Sequence, residues 1–218
     1  MAARKIGIMG GTFNPIHYAH LLLGEAAREQ FGLDRVIYIP SGVSYLKSTD
    51  DIPSGELRYQ MVKLAIEDNP YFTCSRLEID REGNTYTVDT LRELHKMYPG
   101  DEIYLIIGGD TFKQIEQWKE SEEVLKSCIL LAAVRDNMSI ADMDKQREHL
   151  HEKFGADVRL LQFKNLDVSS TDIRKRIKSG RTVRYMLPES VIEFARMKNI
   201  YIGSSEVVGD GDMKIYNG

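Results

Sequence analysis

Two hydrophobic periods alternate along the chain. Short apolar runs of strand type occur at Ile6–Met9, Arg35–Pro40, Tyr71–Ser75, Glu102–Gly108, Cys128–Val134 and Val158–Leu161. Between them, apolar residues recur every three or four positions, as a helix with one buried face requires. This spacing predicts helices from Tyr18 to Phe31, from Glu56 to Ile66, through Leu91, Leu94 and Met97, from Ile140 to Phe154, through Ile173 and Ile177, and from Val191 to Ala195, with a short helix after Asp110. Asn69-Pro70, Pro99-Gly100 and Ser179-Gly180 mark helix ends. Strands that alternate with helices predict an α/β fold, an open parallel sheet wrapped on both faces. In such sheets ligands sit beyond the C-terminal ends of the strands, where strand order reverses. Gly10-Gly11, Gly108-Gly109-Asp110 and Ser169-Ser170 all follow predicted strands, so they are expected along one edge of the sheet.

Length and composition narrow the class. At 218 residues the chain fits one domain, read as residues 1–202 with a helical subregion over 165–202 and a polar tail from 203 to 218. A net charge of −4 supplies no basic stripe for nucleic acid. No apolar run reaches membrane-spanning length, and the first strand begins too early for a signal peptide. Cys74 and Cys128 stand singly in strand-like runs and read as reduced core thiols. A cytoplasmic protein is expected, with neither nucleic acid nor membrane as partner and with a homodimer allowed. Glu148-His149-Leu150-His151-Glu152 reads as solvated helix surface, because histidines two apart point to different helix faces.

The chemistry is concentrated in the first twenty residues. The first strand runs into Gly10-Gly11-Thr12, and His17 and His20 stand three apart at the mouth of the next helix. Glycines allow close approach of a ligand to the backbone, and free amides at a helix start suit phosphate. The spacing matches neither the dinucleotide fingerprint nor a Walker A loop. What remains is a site for nucleotide phosphates, of residue types that would suit transfer of a nucleotidyl group, in which a phosphate monoester attacks the α-phosphate of ATP. That reaction needs alignment and charge neutralisation rather than a nucleophilic side chain. Ser169-Ser170-Thr171 with Arg174 offers hydroxyls, a guanidinium and a second helix start, although helix caps look alike in sequence. Read singly, Lys47 is a surface lysine, Thr87 a helix cap and Trp118 a core tryptophan.

Gly10-Gly-Thr-Phe-Asn-Pro-Ile-His-Tyr-Ala-His20 resembles the GGTFxPxHxGH motif of nucleotidylyltransferases, and Ser169-Ser-Thr-Asp-Ile-Arg174 resembles their (I/S)SxTxxR motif. The run Arg81–Thr90, Gly108-Gly-Asp110 and Trp118 are similar to the bacterial nicotinate-nucleotide adenylyltransferase branch. The resemblance spans Lys5 to Ile202 and implies a Rossmann-like fold. It implies conversion of nicotinate mononucleotide and ATP to nicotinate adenine dinucleotide and pyrophosphate by direct in-line attack, without a covalent intermediate. Mg²⁺ would be held mainly by the ATP phosphates, with no protein ligand. By the same resemblance His17, His20 and Arg174 are catalytic. Gly10, Gly11, Thr12, Phe13, Lys47, Gly108, Asp110, Ser169 and Ser170 bind ATP, and Tyr86, Thr87, Trp118 and Lys119 bind the mononucleotide.

This chain departs from the family pattern at three places. Lys119 stands where an aromatic is common, Ala19 stands where glycine is usual, and Ser44-Tyr45-Leu46-Lys47 replaces Pro-Pro-His-Lys. A sister adenylyl- or cytidylyltransferase would share both phosphate motifs but would have no need of Trp118 and Thr85–Thr87. A nucleotide-sensing scaffold would share the fold but not require intact His17, His20, Ser170 and Arg174.

Overall fold

The computed structural model describes residues 3–42, 52–134, 139–164 and 166–202. Lys47 and the 203–218 tail lie outside these residues. Six strands, β1 (Lys5–Gly11), β2 (Arg35–Pro40), β3 (Phe72–Cys74), β4 (Glu102–Gly108), β5 (Ile129–Val134) and β6 (Val158–Gln162), form one sheet in the order β3-β2-β1-β4-β5-β6. Every neighbouring pair is parallel. The helices are α1 (Tyr18–Phe31), α2 (Gly55–Ala65), α3 (Thr87–Met97), α4 (Gly109–Lys113), α5 (Ser121–Ser127), α6 (Ile140–Phe154), α7 (Ser170–Lys178) and α8 (Glu189–Met197). None is long and apolar enough to cross a membrane.

The alternation of side chains along each strand feeds two cores. Val36 and Tyr38 of β2, Tyr104 and Ile106 of β4, and Leu131 and Ala133 of β5 join one cluster with residues of α1, α2, α7 and α8. Their neighbours Ile37, Ile39, Leu105, Ile107, Leu130 and Ala132 join the other, with residues of α3, α5 and α6. A sheet covered on both faces needs apolar side chains at successive positions, which is why these strands read as continuous apolar runs.

Strand order reverses between β1 and β4, so the chain leaves their C-terminal ends in opposite directions and opens a crevice there. Gly11 and Gly108 end these two strands. The Ser169-Ser170 turn arrives by a different route from the one expected. Strand β6 is the far edge of the sheet, and the chain after it crosses back, so that α7 packs in the same core as Met9, Phe13 and Ile16.

Most elements coincide with the sequence pattern, and the differences are local. Strand β3 is three residues long, and β5 starts at Ile129 because Cys128 caps α5. Helix α5 itself is not marked by periodicity, since seven residues hold only two buried side chains, Val124 and Leu125. It is recognisable afterwards by Ser121-Glu122-Glu123 at its start.

Helix α1 lies close on the sheet at Gly24, where an added Cβ would stand 2.2 Å from Tyr38 Oη. Alanine normally stabilises a helix interior relative to glycine by about 1 kcal/mol. Here the sign should reverse: Gly24→Ala is expected to lose about 1–2 kcal/mol through overpacking against a fully buried ring. Chemical denaturation of the two proteins checks this, and an equally stable variant would contradict the close packing.

Candidate active site

Between β1 and α1 the chain makes a tight crossing over Thr12–Ile16 and then caps α1 with His17, which is extended at φ −150° and ψ 171°. The His17 backbone N–H donates to His20 Nδ1 at 3.3 Å. The two rings stack with centroids 3.8 Å apart and planes 29° apart. An Nδ1 that accepts a hydrogen bond leaves the ring proton on Nε2, so His20 offers an Nε2–H donor. Phe13, at φ 47°, sends its ring into the core and meets His20 edge-on at 5.1 Å. Buried to 3% exposure, that ring braces the imidazole and leaves only main-chain atoms of Phe13 for a ligand.

Helix α1 has no acidic residue in its first turn. Each of the other described helices has one there, from Glu56 in α2 to Glu189 in α8. A carboxylate at a helix start neutralises the positive end of the helix dipole. Its absence from α1 leaves that potential for an external anion. The start of α7 differs, because Ser169 Oγ accepts from the Asp172 N–H at 3.1 Å and Asp172 lies in the first turn. Helix α7 is therefore self-capped, and its motif residues act by reaching across to the crossing.

Four groups remote in sequence hold that crossing. Arg58 donates to Thr12 O at 2.8 Å, and Arg174 donates to Asn14 O at 2.8 Å. Tyr201 Oη donates to Asn14 Oδ1 at 2.6 Å, and Ser170 Oγ donates to Pro15 O at 2.8 Å. Carbonyls that would repel a phosphate are thereby occupied, and the backbone between β1 and the histidines is fixed.

On the other side of the Gly10–Thr12 segment lies a cavity of about 320 Å³. Its walls include Gly10, Gly11 and Thr12, the Ser41 loop end, Glu78, the Thr85–Thr87 run, and Trp118 with Lys119. A Cβ at Gly10 would meet nothing within 4 Å, so the backbone there is open to a close ligand. The Gly10–Thr12 wall thus offers its backbone to a ligand, with the imidazoles at the crossing beside it, and the facing wall offers hydroxyls around a half-buried indole.

The cytidylyltransferase-like family profile matches residues 8–176. A relative from Lachnoclostridium phytofermentans, named a probable nicotinate-nucleotide adenylyltransferase, is 45% identical over 199 residues, covering 91% of this chain and 100% of the relative. Another with the same name, from Desulfitobacterium hafniense, is 42% identical over 91% of this chain and 96% of its own length. The chain belongs to the nicotinate-nucleotide adenylyltransferase family. The solved nicotinic acid mononucleotide adenylyltransferase of Plasmodium falciparum complexed with NaAD has the same fold, with a TM-score of 0.74 at 21% identity over 91% of this chain and 97% of that one.

Against the family pattern, the candidate residues fall into three groups. Gly10, Gly11, Thr12, Tyr86, Thr87, Trp118 and Lys119 line the cavity. His17, His20, Ser170 and Arg174 lie around the crossing beside it, and Gly108 with exposed Asp110 lies at the β4 end. Trp118 is only partly buried and packs on the core edge while lining the cavity. Lys119 Nζ sits 4.2 Å from the Tyr86 ring centre, with Asp89 at 3.9 Å and Glu120 at 3.8 Å. Its charge is shared with two carboxylates, which leaves the main chain of residue 119 as the better donor to an acidic ligand. His149 and His151 reach Glu116 and Ala156 O on the surface.

Family motifs did not point to Arg58, Glu78 or Tyr201. Arg58 falls in the buried stripe Arg58, Met61, Val62, Ala65 of α2, and a charge at an apolar position was the available signal. Glu78 is 9% exposed and accepts from Thr90 Oγ1 at 2.8 Å, while Arg81 donates to the same hydroxyl at 3.0 Å. Burial raises the Glu78 carboxyl above the ordinary glutamate range, and hydrogen bonds from Thr90 and Thr85 pull the other way. The folded state then holds the proton at pH values where the unfolded chain has lost it, so stability falls as pH rises from about 4.5 through the raised folded value. Glu78→Gln removes that dependence. Its stability relative to the parent should improve from pH 4.5 toward neutrality, and parallel melting curves across that window would contradict the assignment.

Proposed function

We propose that this protein transfers the adenylyl group of ATP to nicotinate mononucleotide, giving nicotinate adenine dinucleotide and pyrophosphate for NAD synthesis. One observation carries the reading of the site: the stacked His17–His20 pair, at the only described helix start without a carboxylate, stands beside a cavity lined by Thr87, Trp118 and Lys119. The ATP phosphates lie along the crossing in this reading, with the mononucleotide in the cavity.

An oxygen of the mononucleotide phosphate attacks the α-phosphorus in line, the new P–O bond forms, and the bond to pyrophosphate breaks. The attacking phosphate is already anionic near neutral pH, so no base removes a proton. His20 Nε2–H and the positive end of the α1 dipole stabilise charge on the α-phosphate, and His17 holds the His20 ring in place. Arg174 meets the β- and γ-phosphate oxygens with guanidinium N–H groups that its bond to Asn14 O does not use, and Ser170 meets them with its main-chain N–H while its hydroxyl keeps Pro15 O. Gly108 and Asp110 bind the ATP ribose at the strand-order reversal, and Lys47 adds a cation to the phosphates. Trp118 stacks on the pyridine ring beside Tyr86, while Thr87 and the residue 119 amide donate to the nicotinate carboxylate.

Among the described residues no three or more His, Cys, Asp or Glu side chains gather as a metal set, and the donors at the crossing are imidazole, hydroxyl and main-chain N–H. These fit Mg²⁺ carried on the triphosphate, held by phosphate oxygens and water. Bound there, it would supply charge neutralisation for the pyrophosphate. The reading includes the cytoplasm, where thiols stay reduced. Cys74 and Cys128 are unpaired, and burial pushes both up to about 12.

Two measurements test this function. Nicotinate mononucleotide should give a higher kcat/KM than nicotinamide mononucleotide, and equal values would remove the carboxylate site. His20→Ala should lower kcat by about 10²–10³-fold while mononucleotide binding stays close to that of the parent. A variant with normal turnover and weak binding would overturn the role given to His20.

A further inference from the structure

The buried guanidinium of Arg58 is used entirely on main-chain carbonyls among the described residues. It is 3% exposed and donates to Thr12 O at 2.8 Å, Ser41 O at 2.6 Å, Pro53 O at 3.1 Å and Gly42 O at 3.5 Å. An apolar side chain would complete the stripe of Met61, Val62 and Ala65 without the cost of taking a cation out of water. What only a guanidinium adds is a rigid planar fork of donors that fixes several acceptors at set separations. Burial lowers its pKa, partly offset by Tyr201 and Glu78, and arginine retains its proton even so.

The acceptors lie where the sheet stops controlling the chain. Strands β1 and β2 are paired as far as Gly11 and Pro40, and Ser41 N–H donates to Gly11 O at 2.8 Å. Beyond this the two segments separate, Thr12 toward the histidines and Ser41-Gly42 toward the facing wall of the cavity. Arg58 spans the separation at its first residues. Gly42 in turn lies against that facing wall: a Cβ there would be 2.1 Å from Glu78 O and 2.9 Å from Thr85 Cγ2. With its carbonyl held by Arg58, Ser41 has a buried hydroxyl without a hydrogen-bond partner among the described residues, in a residue that lines the cavity.

We infer that Arg58 is a positioning residue for adenylyl transfer, setting the phosphate-binding crossing and the mononucleotide wall at a fixed separation and orienting Ser41 toward the cavity. This rests on the proposed function and adds a division of labour to it. Each substrate keeps its own contacts without Arg58, but their mutual alignment does not survive. In-line attack is sensitive to that alignment, since a displacement of about 1 Å costs on the order of 10²-fold in rate.

The test uses Arg58→Lys, which keeps the charge but not the fork, and Arg58→Ala assayed with and without millimolar guanidinium. The parent is assayed first with ATP and nicotinate mononucleotide, because an inactive parent refutes the proposed function rather than the role of Arg58. With an active parent, a folded Arg58→Lys should lose about 10²-fold in kcat. Its dissociation constants for an ATP analogue alone and for the mononucleotide alone should stay within about threefold of the parent values, and guanidinium should restore part of the turnover of Arg58→Ala. Parental kcat in folded Arg58→Lys overturns the inference, as does a loss carried equally by the two binding constants. An Arg58→Lys protein that does not fold overturns it too, because the guanidinium would then serve the fold rather than the alignment.

Discussion

The structure depends most on how four consecutive residues, Thr12 to Pro15, are held. They link a central strand to the helix that carries both histidines, and they contain no regular backbone hydrogen-bond ladder of their own. The carbonyl oxygens of Thr12, Asn14 and Pro15 and the side-chain oxygen of Asn14 are taken instead by Arg58, Arg174, Ser170 and Tyr201. Polar backbone groups at a buried crossing must find partners, and here every partner comes from another part of the chain. The same bonds turn carbonyl oxygens away from the region where a polyanion would lie.

That arrangement gives the two halves of the site different physical characters. The crossing side is electrostatic: an imidazole with its donor nitrogen set by a backbone N–H, and the positive end of a helix with no carboxylate in its first turn. The cavity side is shape and selection: a half-buried indole, hydroxyls from the start of α3, and a lip where Lys119, Asp89, Arg92 and Glu120 share charge. Exposed pairs of this kind contribute little stability singly. The overall charge of −4 conceals this local design.

Much of the site was legible because its chemistry is written in short-range patterns. His17 caps α1 and His20 stands three positions on in its first turn, a spacing that allows both rings to lie on one face. Strands with apolar residues at successive positions implied a sheet buried on both faces, and Gly11 and Gly108 stand at strand ends as expected. Other features had only faint local signals. The Ser169 hydroxyl proves to be the cap of α7, a use no motif distinguishes from phosphate binding. Phe13 sits in a ligand-binding motif, yet its ring is packed beneath His20. Helix α5 is too short to show a period.

By itself the sequence determined the order of strands and helices, the two phosphate motifs and the residues able to neutralise a triphosphate, because each depends on spacing within a few turns of chain. Only the tertiary structure decided that α7 returns from the far edge of the sheet to hold Asn14 and Pro15. It likewise decided that a charge in the α2 stripe spans two diverging strands, and that Glu78 lies buried against the cavity. These contacts join residues separated by 46, 155, 160 and 187 positions at the crossing alone. No local periodicity encodes such distances. They are set by how the sheet stacks its helices and by the need of every buried carbonyl for a donor.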